Sequence, residues 1–476
     1  MDTPAPKSER LLSLDALRGF DLLWILGGEG IVHALLALTG WAWVAAVSGQ
    51  LKHVAWHGFQ AYDLIFPLFL FLAGVSTPFS LRHRLGAADR KATVAKIVRR
   101  GLLLVLLGIV YNNGLQWKGL DQMRFCSVLG RIGLAGMFAQ LIFLTNAQRL
   151  RRLWWWLGGL LVGYYVVMTT AAAPGFAAGD LSVEGNFASH VDRLLVPGKL
   201  HRTIHDPEGL FSTIPAIATA LLGIFAGLWL QKPNEEVAPW RKARRLALGG
   251  LLCLAVGGLW DYAFPINKNL WTSSFVLWAG GWSFLLLAAF YALVDVLGWR
   301  RFGFAFAVIG MNSVLIYMAG KFISFAFTAN ALFGGLAKAL PAGQELVLAV
   351  GFVAVEWLFL WFLQRHKVFL KVWGRREGLV QGALQPTHSS LFSPSHPLQR
   401  LDAEETQAGL HDGGGPGAEH EAAGLHGGVV HDDAVGGVEG AVGGGELVQV
   451  GAEVVRAELF ERLVERGGKR QQLAGE

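Results

Sequence analysis

The sequence predicts an all-α integral membrane protein: a bundle of about ten transmembrane helices with both termini cytoplasmic, followed by a disordered C-terminal tail. Three observations carry that expectation. The chain of 476 residues is 53% hydrophobic and only 16% charged, whereas a soluble chain carries about a quarter of its residues as charges. Its apolar residues fall in runs of about 20, the length a helix needs to cross a hydrocarbon core of about 30 Å. Its basic residues gather in short clusters after every second run, the pattern that places those loops in the cytoplasm.

Taken in order, the expected spans are 14–38, 60–81, 97–113, 125–146, 152–173, 209–230, 244–263, 271–297, 302–327 and 344–364. The first carries Asp21 and Glu29, which the hydrophobic region of a cleaved signal peptide would not hold, so it is read as a retained helix. Arg82, Arg84, Arg90, Lys91, Lys96, Arg99 and Arg100 follow the second span. Arg149, Arg151 and Arg152 follow the fourth; Lys232, Arg241, Lys242, Arg244 and Arg245 follow the sixth. Arg300 and Arg301 follow the eighth, and Arg365, Lys367, Lys371, Arg375 and Arg376 the tenth. The connections 39–59, 111–124, 174–208, 262–270 and 328–343 then face outward.

The formal net charge of +6 resides largely in these topological clusters, so nucleic acid is not an expected partner. Cys126 and Cys253 lie far apart beside apolar segments and imply neither a disulfide framework nor a zinc site. The chain divides into a membrane domain, 1–373, and a low-complexity tail, 374–476, which contains no Trp or Tyr and is dominated by Gly, Ala, Glu, His and Val. Such a composition cannot bury enough apolar surface to offset chain entropy. The tail's histidines and aspartates lack metal-ligand spacing.

Ionisable residues inside a span are costly and stand out as functional candidates. The first span holds Asp15, Arg18, Asp21, Glu29 and His33, and at 100° per residue an unbroken helix puts all five within about 60° of Arg18. An ion-pair cluster of Asp15, Arg18 and Asp21 that fixes packing is one reading; Glu29 and His33 lie too far along to join it. A second set occupies LKHVAWHGFQAYD, where His53 and His57 sit one helical turn apart and Asp63 lies just inside the second span. Histidine suits a general base or an acyl-accepting nucleophile near neutral pH. Interfacial anchoring by Lys52, Trp56 and the histidines is the plainer alternative, and zinc lacks a third ligand.

Further outward motifs are HDPEG, from His205 to Gly209, and INKNLW, from Ile266 to Trp271. Asp206 and Glu208 could mark a helix start and Asn269 a helix cap. They could equally join Asn267 and Lys268 in binding a substrate. Asn312, in GMNS, needs a hydrogen-bond partner inside a span. No P-loop, kinase motif or serine nucleophile elbow occurs.

In this order SLDALRGFDLLW, KHVAWHGFQAYDLIFPLFLFLAGVS, RRGLLLVLLGIVYN, FCSVLGRIGLA, HDPEGLFSTIPAIATALLGIFAG, FPINKNLWTSSFV and GMNSVLIYM make the chain resemble the heparan-alpha-glucosaminide N-acetyltransferase family over residues 11–370. The resemblance implies a bacterial multi-pass relative in the inner membrane, using acetyl-CoA as cytoplasmic co-substrate, with no permanently bound cofactor. An acetyl group would reach an amino sugar or other glycan acceptor on the outer side. Membrane lipid is a further partner, and a homodimer is a further expectation. The family's active histidine lies in a KH-x-x-W stretch, which implies His53 rather than His57. Catalysis is expected from His53, Glu29 and Asp63. CoA phosphates are expected on Arg18, Arg99 and Arg100, and the acceptor beside Asp206, Glu208, Asn267, Lys268, Asn269 and Asn312. Where the family has an asparagine near the end of the first span, this chain has Glu29, and an ionised carboxylate cannot donate to an acetyl carbonyl. The family's long lumenal N-terminal region has no counterpart in this sequence, which leaves 174–208 as the expected acceptor-recognition segment. Two other readings stay open: an O-acyltransferase of periplasmic glycans, where a DxxRG motif also occurs, and an ion-coupled secondary transporter.

Overall fold

The computed structural model describes residues 11–81 and 90–369. The expected tail, 374–476, therefore lies outside the described residues, as do Arg82, Arg84, Lys371, Arg375 and Arg376. The described chain is helical, with a single isolated β-bridge between Arg124 and Gly198. Helix α1 (Leu12–Leu23) runs through a π-helical turn at Trp24–Gly28 into α2 (Glu29–Thr39). A short α3 (Ala42–Gln50) precedes the loop that carries His53 and His57, and a 3-10 turn at Ala61–Leu64 opens α4 (Ile65–Leu81). There follow α5 (Arg90–Asn113), α6 (Val128–Asn146), α7 (Arg151–Thr170), the short α8 (Phe187–Leu195) and α9 (Thr213–Leu230). The last six are α10 (Pro239–Asp261), α11 (Ser273–Phe290), α12 (Arg300–Met311), α13 (Ser313–Phe322), α14 (Phe325–Ala339) and α15 (Gln344–Arg365).

Among the described residues eight helices are long and apolar enough to cross a membrane, and nine if α12 and α13, bent by 57° at Asn312, form one broken span. The remaining expected span, 97–113, is the second part of α5. That helix is continuous over 24 residues, but Arg90, Lys91, Lys96, Arg99 and Arg100 crowd its first part. A larger difference lies at 302–343, expected as one span and an outward loop. The helix instead breaks at Asn312, and much of the expected loop is α14, which lies along α15 with Phe325 against Phe359 and Phe333 against Gly351. The stretch FAFTANALFGGLAKA holds no proline, Ser324 accepts from the Phe327 N–H at its start, and Pro341 follows its end, so helix is its natural state.

Burial separates a centre from a periphery. The apolar windows of α9 and α4 are 78% and 72% buried by protein, whereas those of α10 and α15 are 22% and 17% buried and face lipid. The central pair is in backbone contact: a Cβ on Gly74 would overlap the Ala220 carbonyl, and one on Gly223 the Phe71 carbonyl. Small residues that let helices approach this closely are the usual glue where lipid removes the hydrophobic driving force. Helix α4 is thereby fixed at the middle of the bundle, and so is the polar turn at its start.

The first span differs from the unbroken helix assumed for the polar stripe. Leu26 leaves helical geometry and Gly27 takes φ 104° at the π-helical turn, which resets the angular register before Glu29 and His33. His33 Nδ1 then lies 2.7 Å from Ser48 Oγ of α3. Asp15 and Arg18 do pair, at 3.4 Å, and Arg18 also donates to the Leu72 carbonyl and to Ser76 of α4.

Candidate functional site

Asp63 stands where the loop that carries His53 and His57 enters α4. Its Oδ2 accepts the N–H groups of Gln60, at 3.1 Å, and Val54, at 3.4 Å, which closes the 3-10 turn as a capping box. Its Oδ1 lies 2.7 Å from His53 Nδ1 and accepts from Lys268 Nζ at 3.2 Å. The carboxylate is 1% exposed while the His53 side chain is 55% exposed. A carboxylate only accepts, so the neutral imidazole carries its proton on Nδ1 and keeps the Nε2 lone pair on an open ring. Lys268 Nζ lies 3.1 Å from the same Nδ1. With Nδ1–H given to Asp63, the contact brings together two donors that share one acceptor. Tyr62 packs against the imidazole at 4.8 Å between centroids. Burial lowers the Lys268 ammonium below the usual lysine range, with Asp63 and Glu208 pulling it partly back.

The loop before α11 supplies Lys268 because it is stitched to the histidine loop. Gly58 N–H donates to the Ile266 carbonyl at 2.8 Å, and Asn267 Nδ2 donates to His57 Nδ1 at 3.3 Å. His57 therefore accepts at Nδ1 and holds its proton at Nε2, the tautomer opposite to that of His53. Asn267 Oδ1 also accepts from Leu270 N at 2.9 Å. The cap of α11 is Thr272 rather than Asn269, which is 9% exposed. Trp271 is held at φ 53°, a left-handed conformation that a bulky residue adopts only under constraint. Its indole N–H donates to Thr219 Oγ1 at 3.1 Å.

A second polar group adjoins the first. Arg124 makes a forked pair with Asp206, at 2.9 and 2.7 Å, and a further pair with Glu208. Asp206 is fully buried and also accepts the N–H groups of His201 and Glu208. Burial would raise Asp206 and lower Arg124; the hydrogen bonds and opposite charges between them more than offset this, leaving Asp206 below and Arg124 above their usual ranges. Of the two readings left open for Asp206, an ion-pair anchor replaces the helix start, and α9 begins later, at Thr213. His205, 2% exposed, shares a 2.7 Å hydrogen bond with Ser189 Oγ and leans on Trp56, and burial pushes it down to about 4. Burial pushes Asp192 up to about 6, although Phe211 N–H donates to it at 2.9 Å.

The structure thus joins His53, Asp63 and Lys268 directly, with Asn267 one residue away, and joins Asp206 to Glu208 through Arg124. Glu29, half-buried at the start of α2, makes none of these contacts. Asn312 donates to the Val368 carbonyl at 3.1 Å. Arg18 lies far down α4, at Ser76, about 20 Å along the helix from Asp63. Arg99 and Arg100 are exposed on α5. Two arginines escaped the sequence reading. Arg124 stands in the connection 111–124 beside Lys118 and Asp121, and its pairing with Asp206, 82 residues away, has no local signal in the sequence. Arg131, 2% exposed in α6, donates to the Gly209 carbonyl at 2.9 Å and to Ser212, and lies 5.0 Å from the Trp271 ring centroid. Among the described residues no group of three or more His, Cys, Asp or Glu side chains is placed to hold a metal ion.

Fold and site together define a polytopic helical membrane protein whose loops converge on an exposed histidine backed by a buried carboxylate. Residues 10–122 match a family described as a domain of unknown function (DUF5009). Heparan-alpha-glucosaminide N-acetyltransferase of Homo sapiens is 28% identical over 423 residues, a match covering 76% of this chain and 60% of the relative. The enzyme of the same name from Mus musculus is 29% identical over 377 residues, covering 67% of this chain and 56% of the relative. The chain is therefore related to the heparan-alpha-glucosaminide N-acetyltransferases, as its ordered motifs lead one to expect. It spans less than two thirds of the length of these curated relatives.

Proposed function

We propose that the protein is an acetyl-CoA-dependent membrane acyltransferase that carries an acetyl group from cytoplasmic acetyl-CoA to an amino sugar or glycan on the outer side of a bacterial inner membrane. The observation that carries this reading is the His53–Asp63 pair. It presents a free Nε2 on an exposed ring, at the end of α4 opposite to the Arg18 contact. The two relatives named as N-acetyltransferases support it.

As the acceptor nitrogen or oxygen attacks the thioester carbonyl carbon, His53 Nε2 takes its proton. The new C–N or C–O bond forms, the C–S bond breaks, and the leaving CoA thiolate recovers the proton from the imidazolium. Asp63 holds the productive tautomer and faces the imidazolium charge as it appears, the role of the carboxylate in a serine-protease triad. Lys268 neutralises Asp63 between turnovers, and the Arg124–Asp206–Glu208 group forms the acceptor-side wall. Arg99 and Arg100 would hold the CoA phosphates. Arg18 has donors already directed to Asp15, Leu72 and Ser76, so it serves that end of the path chiefly by fixing α1 on α4. Glu29 would orient a cationic or hydroxyl-bearing acceptor rather than the acetyl carbonyl.

The test incubates purified protein with labelled acetyl-CoA and a panel of amino sugars and glycan fragments, comparing wild type with His53→Ala and Glu29→Gln. Acceptor-dependent CoA release that vanishes in His53→Ala is expected. Absence of CoA release with every acceptor, together with proton-coupled uptake into vesicles, would assign an ion-coupled carrier instead.

A further inference from the structure

A groove of about 900 Å³ runs along α7, and none of His53, Asp63 and Lys268 lines it. One end is set by Thr145, Asn146 and Arg152 and the other by Val167 and Phe211, with Gly159 and Gly163 in its floor. From Arg152 to Val167 it follows about 22 Å of helix, most of a hydrocarbon core of about 30 Å. Its walls are apolar and aromatic, including Trp155 and Trp156. A Cβ on Gly158, Gly159 or Gly163 would meet nothing within 4 Å, so at these three positions α7 is open.

The charge at one end decides what fits. Arg152 lines that end, Arg149 and Arg151 are exposed close by in sequence at the start of α7, and none of the three takes part in an ion pair among the described residues. Such a mouth favours an anion, and the apolar groove a hydrocarbon. A second copy of the chain supplies the wrong charge. Two α7 helices facing each other across a two-fold axis normal to the membrane would bring one arginine triplet against the other. Gly159 and Gly163 do form the GxxxG spacing that pairs membrane helices, but here the spacing floors a groove flanked by protruding tryptophans.

We propose that this groove is a binding site for an anionic phospholipid, its phosphate on Arg149, Arg151 and Arg152 and an acyl chain laid over Gly159 and Gly163. The far end of the groove touches the candidate site from behind. Tyr164, a groove wall, donates its hydroxyl to the Leu270 carbonyl at 2.7 Å, and the N–H of Phe211, another wall, donates to Asp192. A lodged acyl chain therefore buttresses the loops that carry Lys268 and Glu208.

The experiment measures lipid retention by native mass spectrometry of the full chain, delipidated and then exposed to equal phosphatidylglycerol and phosphatidylcholine. Wild type is expected to retain phosphatidylglycerol preferentially. Gly159→Leu with Gly163→Leu, at positions where a Cβ meets nothing within 4 Å, fills the groove and should strip the lipid, whereas Gly158→Leu, equally open at Cβ but outside the groove, should not. Neutralising the arginines to Gln should cost about fivefold in preference for each charge removed. Equal retention of the two lipids, or equal retention by the groove-filled and Gly158→Leu proteins, overturns the proposal. So does conversion of a dimer to a monomer in the groove-filled protein without change in bound lipid, which would give the face to a second copy. Each outcome is read without acetyl transfer.

Discussion

Two histidines in the loops of the bundle, His53 and His205, are treated oppositely. Between residues 51 and 63, His53 is open to solvent and its Nδ1 is held by a buried carboxylate. Between residues 189 and 212, His205 is enclosed, bonded to a neutral serine, and its Nε2 is buried without a partner. Nearby acids do not explain the contrast, because Asp206 follows His205 directly. They differ in where the carboxylate points: Asp63 faces its histidine, whereas Asp206 is committed to Arg124. A histidine becomes a proton carrier when its partner is charged and its other nitrogen is free; enclosed against a hydroxyl, it becomes a packing residue that resists protonation.

The largest expected effect breaks the first half of that contrast. His53→Ala should reduce acetyl transfer by about 10⁴-fold, the upper end of what a positioned base contributes, while His205→Gln leaves turnover within a few fold of wild type. Similar losses from the two variants would erase the distinction. Asp63→Asn should follow at about 10³-fold, because an amide can donate to Nδ1 and stabilise the wrong tautomer; the same pH profile with only a modest loss would reduce Asp63 to a loop anchor. Arg124→Gln leaves the fully buried Asp206 without its counter-charge and should lower stability by about 3 kcal/mol, visible as a lower melting temperature in detergent. An unchanged melting temperature would mean that the pair is replaceable.

The smallest effect concerns pH. His205 sits at about 4 in the fold against an ordinary value of 6.5. Its contribution to stability is thus present above pH 6.5 and lost as the pH falls toward about 4, where the unfolded chain takes up a proton that the buried ring refuses. Asp192 has the opposite sign: raised from 3.8 to about 6, it contributes stability below 3.8 that is lost as the pH rises through about 6. The two partly cancel in wild type. Melting curves of His205→Gln should therefore expose the Asp192 slope alone, with stability declining between pH 4 and 6 relative to wild type.

Much of the fold was legible because membrane crossing imposes one coarse signal, a long apolar run, on segment after segment. That signal failed where it had nothing to count. It could not separate α12 from α13, because the break at Asn312 interrupts geometry and not hydropathy, and it took α14 for a loop because the run was shorter than a bilayer. At the site, the neighbourhood of His53, His57 and Asp63 stood out in the sequence, and only the resemblance singled out His53 from His57. Lys268 was readable only as one member of a polar motif, since its meeting with Asp63 depends on the Gly58–Ile266 hydrogen bond. The span-one stripe requires an unbroken helix, which the turn at Gly27 does not provide.

The stitch between Gly58 and Ile266 also has a consequence for how the protein is made. His53 and Lys268 are 215 residues apart, and α4 is threaded well before the loop that precedes α11 emerges. Asp63 can meet its histidine, ten residues away, before its lysine has been made. The complete constellation appears only when α10 and α11 have entered the bilayer. A chain released before that point would hold a helical bundle with a half-built site.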